Sequence, residues 1–290
     1  METLFFRKGS YMKFTQALAI ILITFNISAT ASAQDEASTT SGADEAALQR
    51  PKATDTASRK LVENYLTVTG GVAAHIELHN IVATGTIEEA GKTKTFTLIE
   101  TQDGKRKLTY RWRLLGRDYE VIYAFDGILA WSQEILPKKK PVKTFGGADA
   151  KHFIHQRWFI QPFIVPLKAS YEFKYQGSAK VGGRPAHVVV GYGKKDERTW
   201  FYFDKEKFLL TRWGGIGTVA GIEEYLDYRA SRFATVNGVL LPKQIDLLVE
   251  NSIFGTVTFD SIKANELIDT KTFYAAPSTT PVLRQRPVQQ

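Results

Sequence analysis

Two pairs of histidines have the spacing that a zinc site on a helix would use. His75 and His79 are four residues apart with Glu77 between them, and His152 and His155 are three apart near Asp149. Residues i and i+4 share one helix face, where two imidazoles can bind zinc. In the metalloprotease pattern His-Glu-x-x-His the glutamate follows the first histidine directly, whereas here it stands one place late and no third ligand is evident. We therefore predict no functional metal.

Other catalytic motifs do not emerge from the sequence. The chain has no cysteine, which excludes a thiol nucleophile, a cysteine-bound metal and an iron–sulfur cluster. There is no Gly-x-Ser-x-Gly elbow, and the glycines at 214, 215 and 217 open no helix with a phosphate-binding fingerprint. Glu223 and Glu224 are adjacent, so a strand would point them to opposite faces. We expect a non-catalytic protein without a cofactor.

The first 33 residues have the pattern of a signal peptide. Arg7, Lys8 and Lys13 precede an apolar run over 17–27, and Ala31-Ser32-Ala33 gives the small residues that a signal peptidase reads. Cleavage near Ala33-Gln34 would release the mature chain into the periplasm. The alternative is a membrane anchor, but 11 apolar residues are fewer than the roughly 20 that cross a bilayer as a helix.

Composition divides the mature chain into one domain with two polar ends. Residues 34–53 are rich in Ala, Ser, Thr, Asp and Glu and predict a disordered linker, and 278–290 predict a disordered tail. The domain then spans 54–277. Loss of 1–33 removes three basic residues and one acidic residue, so the net charge falls from +8 to +6. Such a chain is drawn to anionic lipid or acidic envelope proteins, and no nucleic-acid motif is present.

The pattern of apolar residues predicts one opening helix followed by many strands. Asp55 or Thr56 can cap a helix that Gly70-Gly71 ends, and a short helical turn over 72–79 follows. After Asn80 the apolar period becomes 2, with Ala-Gly, Asp-Gly and Leu-Gly pairs between the runs. The predicted strands are 81–88, 93–101, 105–113, 117–125, 128–133, 171–175, 186–191, 198–203, 208–213, 223–228, 244–250 and 253–262. The fold class is therefore mostly β (α+β), with a curved antiparallel sheet as an open or half-open barrel.

Large aromatic side chains gather on one face of the first strands. Alternation puts Leu108, Tyr110 and Trp112 on one side of their strand, opposite Lys107 and Arg111. Neighbouring strands add further members to the same apolar face. The predicted lining is Phe96, Leu98, Leu108, Tyr110, Trp112, Tyr119, Val121, Tyr123 and Trp131. Such a face either fills a core or lines a cavity for an apolar ligand.

A segment in the middle of the chain can cover this face. Residues 148–167 begin with a helical pattern, carry apolar side chains on nearly every side, and contain Pro162 and Pro166, which break helices. We expect it to lie across the concave face as a helical lid or plug. Its predicted contacts with the cavity are Phe153, Trp158, Phe159 and Phe163.

Both ends of the domain resemble exported proteins of the lipoprotein-carrier superfamily (LolA/LolB-like). The opening resemblance is in the helix that ends at Gly70-Gly71 and in the strand Ile81-Val82-Ala83-Thr84-Gly85. The closing resemblance lies in 226–229, in 236–242 and in 262–273. The likeness covers about residues 56–277. It implies a half-open antiparallel barrel with helices over a concave face that receives acyl chains, and no catalytic residues. The long linker and the loop at 138–140 depart from the carriers.

That loop is a cluster of lysines between prolines. Lys138, Lys139 and Lys140, with Lys143 close by, lie in the stretch that Pro137 and Pro141 flank. One interpretation is a solvated turn that keeps an edge strand from pairing. The other is a surface that contacts anionic lipid headgroups or an acidic partner.

Together these features favour a periplasmic binding protein for acyl chains, lipoproteins or another hydrophobic ligand. The alternative is a structural or protein-interaction module of the cell envelope whose concave face is plugged.

Overall fold

The structure is a computed structural model that describes residues 54–155, 157–164, 171–193, 198–219, 222–249 and 251–275. Its helices are α1 (Thr56–Val68), α2 (Gly71–Ile76) and α3 (Gly147–His155), with a short 3-10 helix over Thr270–Phe273. The strands are β1 (Asn80–Glu89), β2 (Lys92–Thr101), β3 (Arg106–Leu114), β4 (Arg117–Phe125), β5 (Ala130–Leu136), β6 (Lys143–Phe145), β7 (Glu172–Val181), β8 (Arg184–Tyr192), β9 (Arg198–Asp204), β10 (Leu210–Val219), β11 (Ile222–Val236), β12 (Val239–Val249) and β13 (Ser252–Ala264).

All these strands form one antiparallel sheet in which almost every strand pairs with its neighbour in sequence. The order is β6-β5-β4-β3-β2-β1-β13-β12-β11-β10-β9-β8-β7. The one long-range pair is β1 with β13, which joins two meanders in the middle of the sheet. Within the described residues β6 and β7 are the two edges and do not pair with each other, so the sheet is open.

The sheet must bend strongly around its covered face. Trp158 packs on Phe96 of β2 and Phe163 packs on Phe173 of β7, at ring-centroid distances of 5.5 and 5.8 Å. Eight strand spacings separate β2 from β7, about 38 Å in a flat sheet. Five residues of extended chain span at most about 18 Å. A single short segment can therefore touch both strands only if the sheet curves towards it.

Helix α1 begins and ends as the sequence predicts. The Asp55 carboxylate accepts the Ser58 N–H at 2.7 Å and caps the helix, and its other oxygen accepts the Tyr175 N–H at 2.7 Å. At the far end Gly70 has φ +126°, and a Cβ there would lie 2.1 Å from the Gly238 carbonyl oxygen. That close approach fixes α1 between the edge strand β7 and the β11–β12 turn.

Most predicted strands and turns are confirmed, with three differences. Strand β6 was not predicted, since three residues give too short a pattern. Strands β7, β10, β11 and β12 run longer than predicted. In β7 and β11 the strand continues through an irregular position with positive φ, at Gly177 and Arg232 respectively. The predicted helical lid is not confirmed, because the helix ends at His155 and residues 157–164 are irregular.

No helix in the described ranges is both long enough and apolar enough to cross a bilayer. The signal peptide, the linker and the tail, at 1–33, 34–53 and 278–290, lie outside the described residues.

Candidate ligand-binding site

The apolar residues predicted for one face of β2, β3 and β4 do share that face, here named the inner face. Phe96 pairs with Tyr110, Leu98 with Leu108, and Leu108 in turn with Tyr123. These side chains are at most 5% exposed. On the other half of the sheet Phe201, Phe203, Trp213 and Tyr228 are also buried, and they continue the same face across β9, β10 and β11.

Residues 157–164, here named the covering segment, lie over this face through ring contacts. Trp158 packs edge-on against Phe96 and Phe259, and Phe159 lies 4.7 Å from the Phe259 ring. Phe163 contacts Phe201 at 4.9 Å. Just before the segment, Phe153 of α3 contacts Tyr123 and Phe145. Edge-to-face pairs such as these contribute roughly 0.5–1.5 kcal/mol each beyond the burial of area.

One carboxylate fastens the covering segment to the sheet. Glu100 of β2 is completely buried, and its two oxygens accept the N–H groups of Trp158, Phe159 and Ile160 at 3.0, 3.1 and 3.3 Å. These backbone groups would otherwise be buried without partners, which is costly. The Glu100 carboxylate thus accepts the backbone hydrogen bonds that a neighbouring strand or a helix turn would otherwise accept.

Two buried arginines balance this carboxylate. Arg106 stands directly opposite Glu100 across the β2–β3 hairpin, with Nε 3.2 Å from a Glu100 oxygen, and its Nη1 donates to the Phe153 carbonyl at 2.7 Å. Arg157 Nη2 donates to the Thr101 carbonyl at 2.6 Å. The Arg106 guanidinium also lies over the Phe153 and Trp158 rings. We name Glu100, Arg106 and Arg157 the buried charge cluster.

His152 of α3 anchors the same region to the opposite half of the sheet. Its Nε2 lies 2.6 Å from the Tyr228 hydroxyl of β11, and Tyr228 stacks on Trp213. Burial, with the positive charge of Arg106 as a second cause, lowers the pKa of His152 to about 3. Burial raises the pKa of Tyr228. The pair is therefore neutral at physiological pH.

The covered face holds little free space. A gap of about 20 Å³ remains between α1, α2 and the covering segment, next to Tyr65, Leu78 and Phe163. That is room for about one water molecule. In this arrangement the inner face is packed.

The structure brings twelve of the thirteen predicted apolar lining residues to the inner face or its cover. Trp112 and Tyr119 are stacked on each other at 5.2 Å, partly exposed at one end of the face. Trp131 is the exception. Ala130 and Ser132 pair with Phe125 and Tyr123, so Trp131 points to the other face, where its indole N–H donates to the Phe273 carbonyl at 2.8 Å.

The lysine loop connects β5 to the edge strand β6. Lys138, Lys139 and Lys143 are exposed, whereas Lys140 forms an ion pair with Glu134 at 2.5 Å and its carbonyl accepts from Gln133. Three of the four predicted lysines therefore face solvent.

The pair His75 and His79 is not arranged as a metal site in the part of the chain that the structure describes. His75 Nε2 lies 2.7 Å from the Thr69 hydroxyl, His79 is exposed, and burial lowers the pKa of His75 to about 4. Across those residues no three His, Cys, Asp or Glu side chains come together as a metal site would need. The side chain of His155 lies outside the described atoms.

Glu100, Arg106, Arg157 and His152 were not predicted as members of the site. For two of them, Glu100 and Arg106, the sequence contains a pattern that could have predicted their role. Glu100 and Arg106 occupy inner-face positions that follow or precede apolar ones, Leu98 and Leu108, and they flank the predicted Asp103-Gly104 turn. Charges at such positions, directly opposite each other, indicate a buried pair.

Comparison with known proteins finds similarity among solved structures. No family model and no curated protein matches the chain. A LolA superfamily protein from Nitrosomonas europaea is 9% identical, with a TM-score of 0.48 over 75% of this chain and 97% of that one. A DUF1329 family protein from Desulfovibrio piger is 13% identical, with a TM-score of 0.43 over 74% and 96%. A putative outer membrane lipoprotein-sorting protein domain from Vibrio parahaemolyticus is 10% identical, with a TM-score of 0.42 over 74% and 95%. Two of these solved structures are named as a LolA superfamily protein and a lipoprotein-sorting protein domain.

Proposed function

We propose that this chain is an exported, non-catalytic binding protein for a hydrophobic ligand, with acyl chains of lipids or lipoproteins as the leading class. The signal-peptide pattern at 1–33 supports export to the periplasm. The ligand would occupy the inner face of the bent sheet, a half-open barrel, in place of the covering segment, which acts as its lid.

The observation that carries the proposal is the way in which the cover is held. The covering segment has no partner strand among the described residues, and its backbone N–H groups at 158–160 are bound by the Glu100 carboxylate. It can leave the face without breaking any strand pair of the sheet. Beneath it lie Phe96, Phe259 and Phe201, rings that an acyl chain could cover equally well.

The first experiment measures the ligand directly. Mature protein beginning at Gln34, purified under native conditions, is expected to carry lipid that mass spectrometry detects. After removal of that lipid it should bind a fluorescent fatty acid saturably. Absence of both signals would refute the proposal.

A matched pair of variants tests the location. Trp158→Ala removes a ring that contacts the inner face, whereas Trp200→Ala removes a partly exposed ring on the other face, where it contacts Tyr225. We expect fatty-acid affinity to change several-fold in the first variant and to stay within twofold in the second. Equal effects would place the ligand elsewhere.

The exposed lysines support approach to an anionic surface. Lys138 and Lys139 lie at the same end of the sheet as Leu115 of the β3–β4 turn and Leu136, which are 93% and 40% exposed. Cations beside exposed leucines suit a membrane whose surface is anionic, where each lysine contributes about 1 kcal/mol. Lys138→Glu/Lys139→Glu should weaken sedimentation with phosphatidylglycerol vesicles, while vesicles of phosphatidylcholine alone should bind neither protein.

A second candidate is an interaction module of the envelope with a permanently plugged face. The small free volume under the cover favours it. Hydrogen exchange at 157–161 separates the two candidates, because fatty acid should change exchange there if the cover is displaced and leave it unchanged if the face is plugged.

A further inference from the structure

A second cavity opens on the outer face, the face opposite to the covering segment. It has a volume of about 280 Å³ and lies where strands β10 and β11 separate. Their ladder begins at Val219 and Ile222 and ends at Arg212 and Arg229, although β11 continues to Val236. A register shift between Leu210 and Arg212, and Arg232 with φ +52°, accompany the separation. We name this cavity the outer cleft.

The floor of the outer cleft is apolar and its rim is basic. Val181, Ala186, Leu209 and Phe233 contribute the apolar lining, and Val181 and Ala186 are at most 8% exposed. At the rim stand Arg184, next to the β7–β8 turn, and Lys207, in the β9–β10 turn. The Lys205 N–H donates to the Pro185 carbonyl at 3.1 Å, so the two turns are held together.

The charged groups of the outer cleft leave a local excess of positive charge. Arg229 donates to Asp246, and the Asp204 Oδ1 accepts the N–H groups of Glu206 and Lys207 at 2.9 and 2.8 Å. Arg184 and Lys207 are exposed, and neither has an ion-pair partner within the described ranges. Two free cations therefore flank an apolar floor.

We propose that the outer cleft binds a small amphiphilic carboxylate. Its anionic head would lie between Arg184 and Lys207, where a guanidinium can bind a carboxylate through two hydrogen bonds. Its apolar body would cover the floor. At about 280 Å³ the cleft is far larger than the gap of about 20 Å³ under the covering segment, and it has room for a carboxylate with a short alkyl chain. This site is separate from the inner face and does not depend on the function proposed there.

Octanoate is the probe, used with the purified ¹⁵N-labelled protein and followed by amide chemical shifts. Octanoate is small and the rim of the cleft is open to water, so an affinity in about the millimolar range is expected. The shifts should concentrate in 184–186, 207–211 and 229–233. Acetate lacks the apolar body and octyltrimethylammonium has the opposite charge, so both should bind at least fivefold more weakly.

The variant Arg184→Ala/Lys207→Ala should weaken octanoate at least fivefold while leaving the melting temperature nearly unchanged, because both side chains are exposed. The control Arg59→Ala/Lys60→Ala removes the same two residue types from the exposed side of α1 and should bind normally. Equal loss in both variants would overturn the proposal. So would equal binding of octyltrimethylammonium or of acetate, or shifts centred on Tyr65 and Phe163.

Discussion

The inner and outer faces of the sheet both carry arginine–carboxylate pairs, but in different surroundings. Glu100 on the inner face is completely buried and is shared between two arginines and three backbone N–H groups. On the outer face Arg229 donates to Asp246 with its side chain 33% exposed. Exposed pairs contribute little because water screens them, whereas loss of one partner of a buried cluster leaves an uncompensated charge. The inner cluster therefore fixes the covering segment. In the outer pair water reaches the arginine, and the buried Asp246 also accepts hydrogen bonds from Gln244 and Thr256.

The largest expected effect comes from removing the buried carboxylate. Glu100→Ala leaves Arg106 and Arg157 without their counter-charge and frees three backbone N–H groups, so unfolding free energy should fall by about 3–5 kcal/mol. Urea unfolding measures it. Glu88→Ala, an exposed glutamate on neighbouring β1, should stay within about 0.5 kcal/mol. A similar loss of unfolding free energy in both variants would contradict the proposed difference between the inner and outer faces.

Acid should weaken the inner face through His152. Its folded pKa of about 3 lies below the ordinary 6.5, so the unfolded chain binds the proton first and stability falls as the pH drops below about 6.5. Between pH 7.5 and pH 5 this amounts to about 2 kcal/mol. His152→Gln should reduce the slope over that interval, and the slope that remains should come from His75, whose pKa burial also lowers, to about 4. An unchanged slope would mean that other groups, such as His75, govern it.

A smaller effect is expected from Tyr228→Phe. It removes the hydroxyl that pairs with His152 but keeps the ring on Trp213, so stability should fall by about 0.5–1.5 kcal/mol. Thermal unfolding gives the difference. As a control, Tyr274→Phe changes a half-exposed tyrosine and should leave stability unchanged. An unchanged stability for Tyr228→Phe would show that the hydrogen bond between Tyr228 and His152 does not stabilise the fold.

The smallest effect should appear on the outer face. Arg229→Ala breaks the pair with Asp246, yet the change in unfolding free energy should stay below about 1 kcal/mol, because water reaches the arginine and Asp246 keeps Gln244 and Thr256 as hydrogen-bond donors. High salt should reduce it further. A loss comparable to that of Glu100→Ala would contradict the proposed difference between the faces.

Local patterns predicted much of the fold. Alternation placed Phe96, Tyr110 and Tyr123 on one face, and Asp55 and Gly70 marked the ends of α1, because such signals depend on neighbours in sequence. The pairing of β1 with β13 depends on residues about 180 positions apart and left no local signal. Trp131 was assigned to the inner face by its residue type, although its strand register puts Ala130 and Ser132 there.

The apolar surface of the candidate site was predicted from the sequence, but the interactions that attach the covering segment to it were not. The apolar residues of 153–163 predicted that this segment is buried, and its ring contacts with the inner face follow from that burial. The buried charge cluster joins Arg157 in the middle of the chain to Glu100 of a distant strand, so only tertiary structure brings it together. Of this cluster, Glu100 and Arg106 could have been predicted as a pair from the sequence, since they are opposite each other in a predicted hairpin.

The covering segment belongs to the stretch that connects β6 to β7, the two edges of the sheet, and this connectivity has a consequence for cleavage. A protease cut within that stretch would leave an N-terminal piece ending after α3 and a C-terminal piece beginning near β7. Nine residue pairs of the β1–β13 ladder still join those pieces. The two fragments, expressed separately, should therefore be able to reassemble. A split reporter with one half fused to each fragment would detect that reassembly.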